Sequence, residues 1–358
     1  MNHPIHVAIT GLQMMDNPYP GVSVARSLKE SPSFSGKIIG LSYDLHCTGN
    51  FSPYFDDIFL TPFPWDSETQ WLNRIAQIHQ KIRLDVIIPT LDSEIALFSK
   101  MSLTLEKMGI KTFLPSEMSV KARAKNFLPE WCKTHQIIKT PKTMVVVNKS
   151  EIAKIVGTVG YPCLIKGALA DAYIAYDIYE ASVFFDRIYY GWGLPVIIQE
   201  CIKGDDFDVV ALAGKDSTLI GATAIKKLAI TDQGKCAIAS IVNDEQLFTL
   251  TQKIAHALKW VGPFEVEMVY DGFNKEFYLI EINARFPAWI YLTAKANYNL
   301  PEKLVQLAMG ENVSPLPPCQ SELLFTRTKE DYFFEVNAYS KLAATGELKK
   351  GDLLCENL

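Results

Sequence analysis

Glu267, Glu281, Asn283 and Arg285 stand in two apolar runs, Phe264-Glu-Val-Glu-Met-Val-Tyr270 and Phe277-Tyr-Leu-Ile-Glu-Ile-Asn-Ala-Arg285. Both runs are rich in aromatic and β-branched residues and read as strands. The stretch between them, 271–276, is polar and carries turn signals, so the pair reads as a hairpin. Successive side chains of a strand face opposite ways. Strict alternation puts Glu281, Asn283 and Arg285 on one face and Tyr278, Ile280, Ile282 and Ala284 on the other; Glu265 shares a face with Glu267. A carboxylate on an apolar strand is costly unless a cation or a hydrogen-bond donor meets it. Hard oxygen ligands beside an arginine suit magnesium that holds phosphates. The competing reading is a set of solvated strand ends, or an Arg285–Glu281 pair, since exposed charge is the rule. Four such residues on one hairpin favour the metal.

The elements that must position this hairpin fall into two patterns. Residues 1–118 alternate strand and helix, which predicts an α/β layer with a mostly parallel sheet. Strands are expected at His6–Thr10, Lys37–Ser42, Asp56–Leu60, Asp85–Thr90 and Lys111–Leu114, and helices at Val22–Lys29, Glu68–Lys81 and Ser93–Met108. The loop after the first strand lacks G-x-G-x-x-G, so dinucleotide binding is not inferred. Beyond residue 118, a basic helix is expected at Val120–Lys133 and further helices at Lys149–Val156, Glu180–Tyr189 and Leu247–Leu258. Strands are expected at Cys163–Lys166, Pro195–Glu200, Phe207–Leu212, Gly221–Ile230 and Lys235–Ile241. Pro287–Met309 reads as mostly helical, Pro315-Leu-Pro-Pro318 as a linker, and Tyr332–Ala338 as a strand.

With 358 residues, two or three domains are expected. A hydrophobic fraction of 48% against 21% charged argues for a globular chain and against disorder. The net charge of −5 gives no reason to expect nucleic-acid binding. No apolar run approaches the ~20 residues that span a bilayer, and the N-terminus does not resemble a signal peptide. Seven scattered cysteines with no Cys-x-x-Cys pair fit a reducing cytoplasm and make zinc unlikely to be bound. The histidines are isolated, and no nucleophile–base constellation is evident.

In this order of elements, residues 5–312 resemble the ATP-grasp superfamily, and most closely the branch of biotin carboxylase, the carbamoyl phosphate synthetase large chain and the amino-acid ligases. The resemblance implies a mixed α/β and α+β fold with three parts. These are an N-terminal Rossmann-like domain (1–118), an ATP-grasp domain (119–312) with a small lid near 143–203, and a C-terminal extension (313–358). The family places an acidic or amide ligand on one strand and Glu-x-Asn-x-Arg at the end of the next. Glu267 and Glu281-Ile-Asn283-Ala-Arg285 match that pattern. Glu281 would then bridge two Mg²⁺ ions, Glu267 and Asn283 would each hold one, and Arg285 would contact the transferred phosphate or the acyl intermediate.

The same resemblance assigns Lys166, closing Tyr161-Pro-Cys-Leu-Ile-Lys166, to the ATP phosphates; the alternative is a solvated strand end. In Gln199-Glu-Cys-Ile-Lys-Gly204, the main chain of Glu200, Cys201 and Ile202 would meet adenine, and Asp206 the ribose, unless Asp205 and Asp206 form an ordinary acidic turn. Lys125 matches a phosphate-facing cation, though the family's preceding Asp is missing and a solvated basic face is the alternative. Lys226 and Lys227 fall where relatives place a basic residue near the γ-phosphate. One departure stands out: the glycine-rich phosphate loop is reduced to a single glycine over residues 167–172, which puts turnover in doubt. The implied activity is ATP-dependent carboxylate–amine ligation through an acylphosphate, with an amino acid or small peptide as substrate. Asp92-Ser-Glu94, at the carboxyl edge of the sheet, would border the acceptor cleft. The rivals are a nucleotide-binding regulatory protein and a carboxyphosphate-forming enzyme. No nucleic-acid or membrane partner is expected, and a homodimer is compatible with the branch.

Overall fold

The computed structural model describes residues 3–15, 18–168, 171–231, 234–329 and 331–353. The chain opens with β1 (Val7–Ile9), α1 (Gly21–Lys29), β2 (Ile38–Ser42), β3 (Asp57–Leu60), α2 (Glu68–Lys81), β4 (Val86–Ile88) and α3 (Asp92–Lys107). The strands pair in parallel in the order β3-β2-β1-β4. Strand residues such as Ala8, Ile39 and Ile87 pack with Trp71, Ile75, Phe98 and Met101 from α2 and α3. The helical spacing of these apolar residues is what buries each helix on the sheet. Lys111–Leu114 contributes a bridge from Lys111 to Val86 rather than a full strand.

The expected basic helix is broken in two, α4 (Glu117–Ala122) and α5 (Leu128–His135). Pro129 sits in the first turn of α5; its ring cannot follow a helix that still contains the carbonyl of Lys125. The break places Lys125 in a turn and frees it to reach another part of the chain.

Next comes a small antiparallel sheet. It is built from β5 (Thr143–Val146), β6 (Cys163–Gly167), β7 (Ala172–Ala175) and β8 (Val196–Glu200), in the order β5-β8-β6-β7. Two helices cover it, α6 (Ile152–Val159) and α7 (Ile178–Trp192). Asp177 caps α7 by accepting from Glu180 N at 2.8 Å, and Gly193 ends it at φ +78°. The sequence reading did not separate β7 from the loop before it.

The large sheet is antiparallel throughout. It contains β9 (Asp205–Ala213), β10 (Leu219–Ile230), β11 (Cys236–Val242), β12 (Gly262–Asp271) and β13 (Glu276–Asn283), with α8 (Glu245–Leu258) packed on one face. After it come α9 (Tyr291–Lys295) and α10 (Leu300–Ala308); the expected single helix is interrupted at Asn297, φ +58°, and restarts at the Asn299 cap and Pro301. The C-terminal stretch divides between the two larger sheets. Strand β14 (Leu324–Thr326) pairs with β11, while α11 (Val336–Thr345) and β15 (Glu347–Lys349) return to the first sheet, β15 pairing with β3. The strand expected at Tyr332–Ala338 is not one. Residues 331–335 are irregular, and Ala338 and Leu342 are buried at an i, i+4 spacing that selects a helix.

Candidate nucleotide and metal site

The hairpin of β12 and β13 departs from strict alternation at one residue. Glu267 pairs with Glu281 and Met268 pairs with Leu279, so Ile280 is an extra residue with no partner. Such a β-bulge shifts the phase of everything beyond it. The face toward α8 therefore carries Phe277, Leu279, Ile282 and Ala284, all in one core cluster. This corrects the expected grouping of Tyr278 and Ile280 with Ile282. Glu281, Asn283 and Arg285 do lie opposite that core, as expected, and the bulged Ile280 lines a small cavity with Lys125, Thr140, Lys166 and Gln199.

Register brings further charge to this face. Glu267 lies opposite Asp208 of β9, and β10 adds Lys227. Lys227 Nζ is 2.9 Å from Asp208 Oδ1 and 3.4 Å from Glu267 Oε2. The first approach lacks hydrogen-bond angles, which leaves Asp208 Oδ1 buried without a hydrogen-bond partner. Asn283 Nδ2 donates to Glu265 Oε2 at 3.1 Å and to Glu267 Oε1 at 2.9 Å. Glu265 is also held by Trp289 Nε1 at 2.9 Å and Arg285 Nη1 at 2.8 Å. Burial works against the Lys227 charge, but Asp208 and Glu267 outweigh it and raise its pKa well above the ordinary value. Burial likewise opposes the charge of Glu267, yet Lys227, Lys235, Arg285 and Lys166 draw its pKa down to about 2. Burial raises the pKa of Asp208, with Lys227 only partly offsetting it.

Lys166 ends β6 inside the cleft. Only 7% exposed, its ammonium donates to the neutral Gln199 amide oxygen at 3.2 Å and has no carboxylate within 4.0 Å among the described residues. Gln199 is fixed in turn by Nε2 donating to Thr143 Oγ1 at 3.0 Å. Burial lowers the Lys166 pKa, and Lys125 adds to this, while Glu281 acts the other way. Lys125 faces Glu281 across the cleft at 3.2 Å. A buried ammonium hydrogen-bonded to a neutral amide leaves its charge largely uncompensated, which suits it electrostatically to an anion.

The expected adenine edge leaves the ladder after β8. The Glu200 N–H donates to Lys142 O at 2.8 Å, and its carboxylate accepts from Lys142 N at 3.1 Å; Cys201 and Ile202 follow, half-buried. Gly204 then passes so close to β12 that a Cβ there would sit 2.0 Å from Tyr270 O. Asp206 is half-buried on β9, and burial raises its pKa. After Lys166, Gly167 N donates to Asp171 O at 3.1 Å; Leu169 and Ala170, within the expected phosphate loop, lie outside the described residues.

The donor set fits a hard divalent cation. Glu267 and Glu281 are direct cross-strand neighbours, with Asn283 beside them, and Asp208, Glu265 and Glu267 each place one oxygen within 4.8 Å of the others. Glu265 is saturated by Arg285, Asn283 and Trp289, so Glu267, Glu281, Asn283 and Asp208 are the available oxygens. Sequence reasoning missed Asp208, Gln199 and Arg327. An aspartate inside the apolar run Phe207–Leu212 was the signal for the first. Arg327, just past β14, is half-buried and has its pKa lowered by burial, with Glu265 within electrostatic reach; nothing in the sequence placed it there. No described helix is long and apolar enough to cross a membrane.

Residues 194–330 match the family described as ATP-grasp in the biosynthetic pathway with Ter operon. No curated protein sequence matches the chain significantly. Among solved structures, a biotin carboxylase–β-γ-ATP complex from Campylobacter jejuni aligns with a TM-score of 0.65 at 15% identity, over 87% of this chain and 72% of that one. The N5-carboxyaminoimidazole synthetase of Staphylococcus aureus aligns at 0.63 and 15%, over 88% and 80%. The L-amino acid ligase of Bacillus licheniformis aligns at 0.64 and 14%, over 86% and 75%. At these identities the likeness is one of fold, the ATP-grasp fold, and the ATP-grasp family match of residues 194–330 lies within it.

Proposed function

We propose that the chain is an ATP-dependent carboxylate–amine ligase that activates an amino acid or small peptide as an acylphosphate and releases ADP and phosphate. The observation that carries this reading is Lys166, a nearly buried ammonium with only a neutral amide for a partner, in a cleft bordered by the acidic hairpin. In this reading Lys166 and Lys125 take the ATP phosphates. The main chain of Glu200, Cys201 and Ile202 meets adenine, and Asp206 meets the ribose. Glu267, Glu281 and Asn283 would hold Mg²⁺, two ions by the family resemblance, and Asp208 adds a further oxygen. Bound there, Mg²⁺ would neutralise charge on the β- and γ-phosphates. Arg285 faces the phosphoryl group in transfer, and a substrate carboxylate attacks in line before an amine takes the acyl group. Arg327 supplies a half-buried cation for a substrate carboxylate. The protein's own contribution is position and charge neutralisation.

The test is ADP and phosphate release from Mg-ATP across a panel of amino acids and dipeptides. Release that depends on one carboxylate and one amine is expected. Tight ATP binding with no ADP in any mixture would sink the ligase reading and favour the second, a nucleotide-binding regulatory protein. The single glycine, Gly167, over residues 167–172, where relatives carry a glycine-rich loop, is the observation on that side. Bicarbonate alone as the stimulating substrate would indicate carboxyphosphate formation instead.

A further inference from the structure

Arg285 is held from two sides, and one holder comes from a distant part of the chain. Its Nη1 donates to Glu265 Oε2 at 2.8 Å on the neighbouring strand, while its Nε donates to Asp92 Oδ2 at 3.0 Å, 193 residues away in sequence. Asp92 is the first residue of α3, where a carboxylate usually serves the N–H groups of its own helix. Here its oxygens also serve other segments. Oδ1 accepts from the Ala284 N–H at 3.0 Å and lies 2.8 Å from Arg123 Nη1. Arg123 Nη1 also donates to Ile282 O at 3.0 Å. The side chains of Asp92, Arg123 and Arg285 are 22, 13 and 15% exposed, so solvent screens these contacts far less than an ordinary surface pair.

A planar guanidinium fixed at Nε and Nη1 has its remaining nitrogen fixed as well. Nη2 of Arg285 makes no hydrogen bond to a described residue. The two carboxylates thus hold the fork in one orientation and leave one corner free. With Asp92 neutralised, the remaining contacts, Glu265 Oε2 and the Phe286 carbonyl, both meet Nη1, and the guanidinium could pivot about that corner.

We propose that Asp92 is a positioning residue that aims Arg285 at the phosphoryl group in transfer, so that seating of the N-terminal sheet on the hairpin is a condition of turnover more than of nucleotide binding. This rests on the role given to Arg285 above. Because Arg285 would act in transfer, loss of its aim shows in kcat, while ATP affinity stays with Lys166 and Lys125.

The experiment compares the full-length wild type with Asp92→Asn and Asp92→Glu. In protein labelled with ¹⁵N-arginine, the Nε–H signal of Arg285, identified by its loss in Arg285→Lys, exchanges slowly with water in the wild type. Asp92→Asn is expected to speed that exchange at least about tenfold and Asp92→Glu to do so less, by analogy with lost orienting hydrogen bonds. With the amino acid that stimulates ADP release, Asp92→Asn lowers the rate at saturating Mg-ATP by about 10–100-fold and leaves the KM for ATP within about twofold. Unchanged Nε–H exchange in Asp92→Asn overturns the proposal, as does a loss that falls on the KM for ATP. If the wild type releases no ADP, the ligase reading fails while the exchange measurement still decides on Asp92. If Asp92→Asn does not fold, Asp92→Glu keeps the charge that Arg123 needs, and the same two readouts apply to it.

Discussion

Lys125 Nζ lies 3.2 Å from Glu281 Oε2, so the cation from the broken helix and the carboxylate from the bulged hairpin neutralise each other across the cleft. They come from opposite walls of the proposed nucleotide site. A bound polyphosphate offers Lys125 a new anion, and the accompanying metal offers Glu281 a new cation. The pair can therefore separate on ligand binding without leaving either charge uncompensated.

Glu281→Gln isolates the metal role. The pair is shielded, its side chains 16 and 18% exposed, so the substitution, which leaves Lys125 without its carboxylate, should cost about 1–3 kcal/mol. It should also abolish metal-dependent ADP release. Thermal unfolding and a Mg²⁺ titration of turnover check both halves, and unchanged activity removes Glu281 from the metal site.

Lys166→Met separates binding from folding. Burial lowers the Lys166 pKa, so the fold holds this ammonium at a desolvation cost. An apolar side chain of similar length removes that penalty, so Tm should hold or rise. Affinity for ATP, measured by calorimetric titration, should fall about 10–100-fold for the loss of one buried charge-assisted contact. A large drop in Tm would show that Lys166 is a structural lysine.

Lys227→Met tests the charge balance of the acidic face. Lys227 is the cation nearest Asp208 and Glu267. Its removal should cost about 3–5 kcal/mol in metal-free buffer, the usual penalty for orphaning buried carboxylates. Millimolar Mg²⁺ should recover part of the loss, and more in the variant than in the wild type, because the cation replaces the missing charge. Denaturant melts with and without Mg²⁺ give the comparison; no Mg²⁺ effect in either protein contradicts a metal site here.

Glu94 predicts a pH dependence of stability. It sits in the first turn of α3, accepting from Thr10 Oγ1 and from the Thr90 and Leu91 N–H groups, with Oε2 buried and unpartnered. Burial, only partly offset by these donors, raises its pKa from 4.5 to about 7. The folded chain thus binds a proton that the unfolded chain releases near the ordinary value. That contribution to stability is complete below pH 4.5 and is lost as pH rises toward about 7, at about 1.4 kcal/mol per unit. Glu94→Gln keeps the acceptor and removes the titration, so its stability should be flatter over that window. Parallel slopes for the two proteins would show that Glu94 does not titrate there.

Much of this was legible from side-chain types and local rules. The parallel N-terminal layer followed from alternating strand and helix patterns, and the polar face of the hairpin from Glu281, Asn283 and Arg285 at a spacing of two. What escaped depends on contacts between distant segments. The bulge at Ile280 is set by pairing with β12, and strand alternation alone cannot place it. Asp208 enters the site through the register of β9, and Arg327 through the return of the C-terminal stretch to β11; Lys227 was placed near the γ-phosphate by the resemblance alone, and the register of β10 brings it to Asp208 and Glu267. The break before α5 had a local signal in Pro129, which a reading of the basic residues as one helix passed over. Conversely, Tyr332–Ala338 looked like a strand because its aromatics suit one, yet the burial of Ala338 and Leu342 selected a helix beyond residue 335.

The central claim is that Lys166 and the acidic hairpin form one Mg-nucleotide site. A crystal structure of the full chain with Mg-ADP tests it most directly. The account predicts phosphate oxygens on Lys166, adenine against the main chain of 200–202, Mg²⁺ among Glu267, Glu281 and Asn283, and Lys125 parted from Glu281. Nucleotide bound elsewhere, with the Lys125–Glu281 pair intact and no metal on the hairpin, would contradict it.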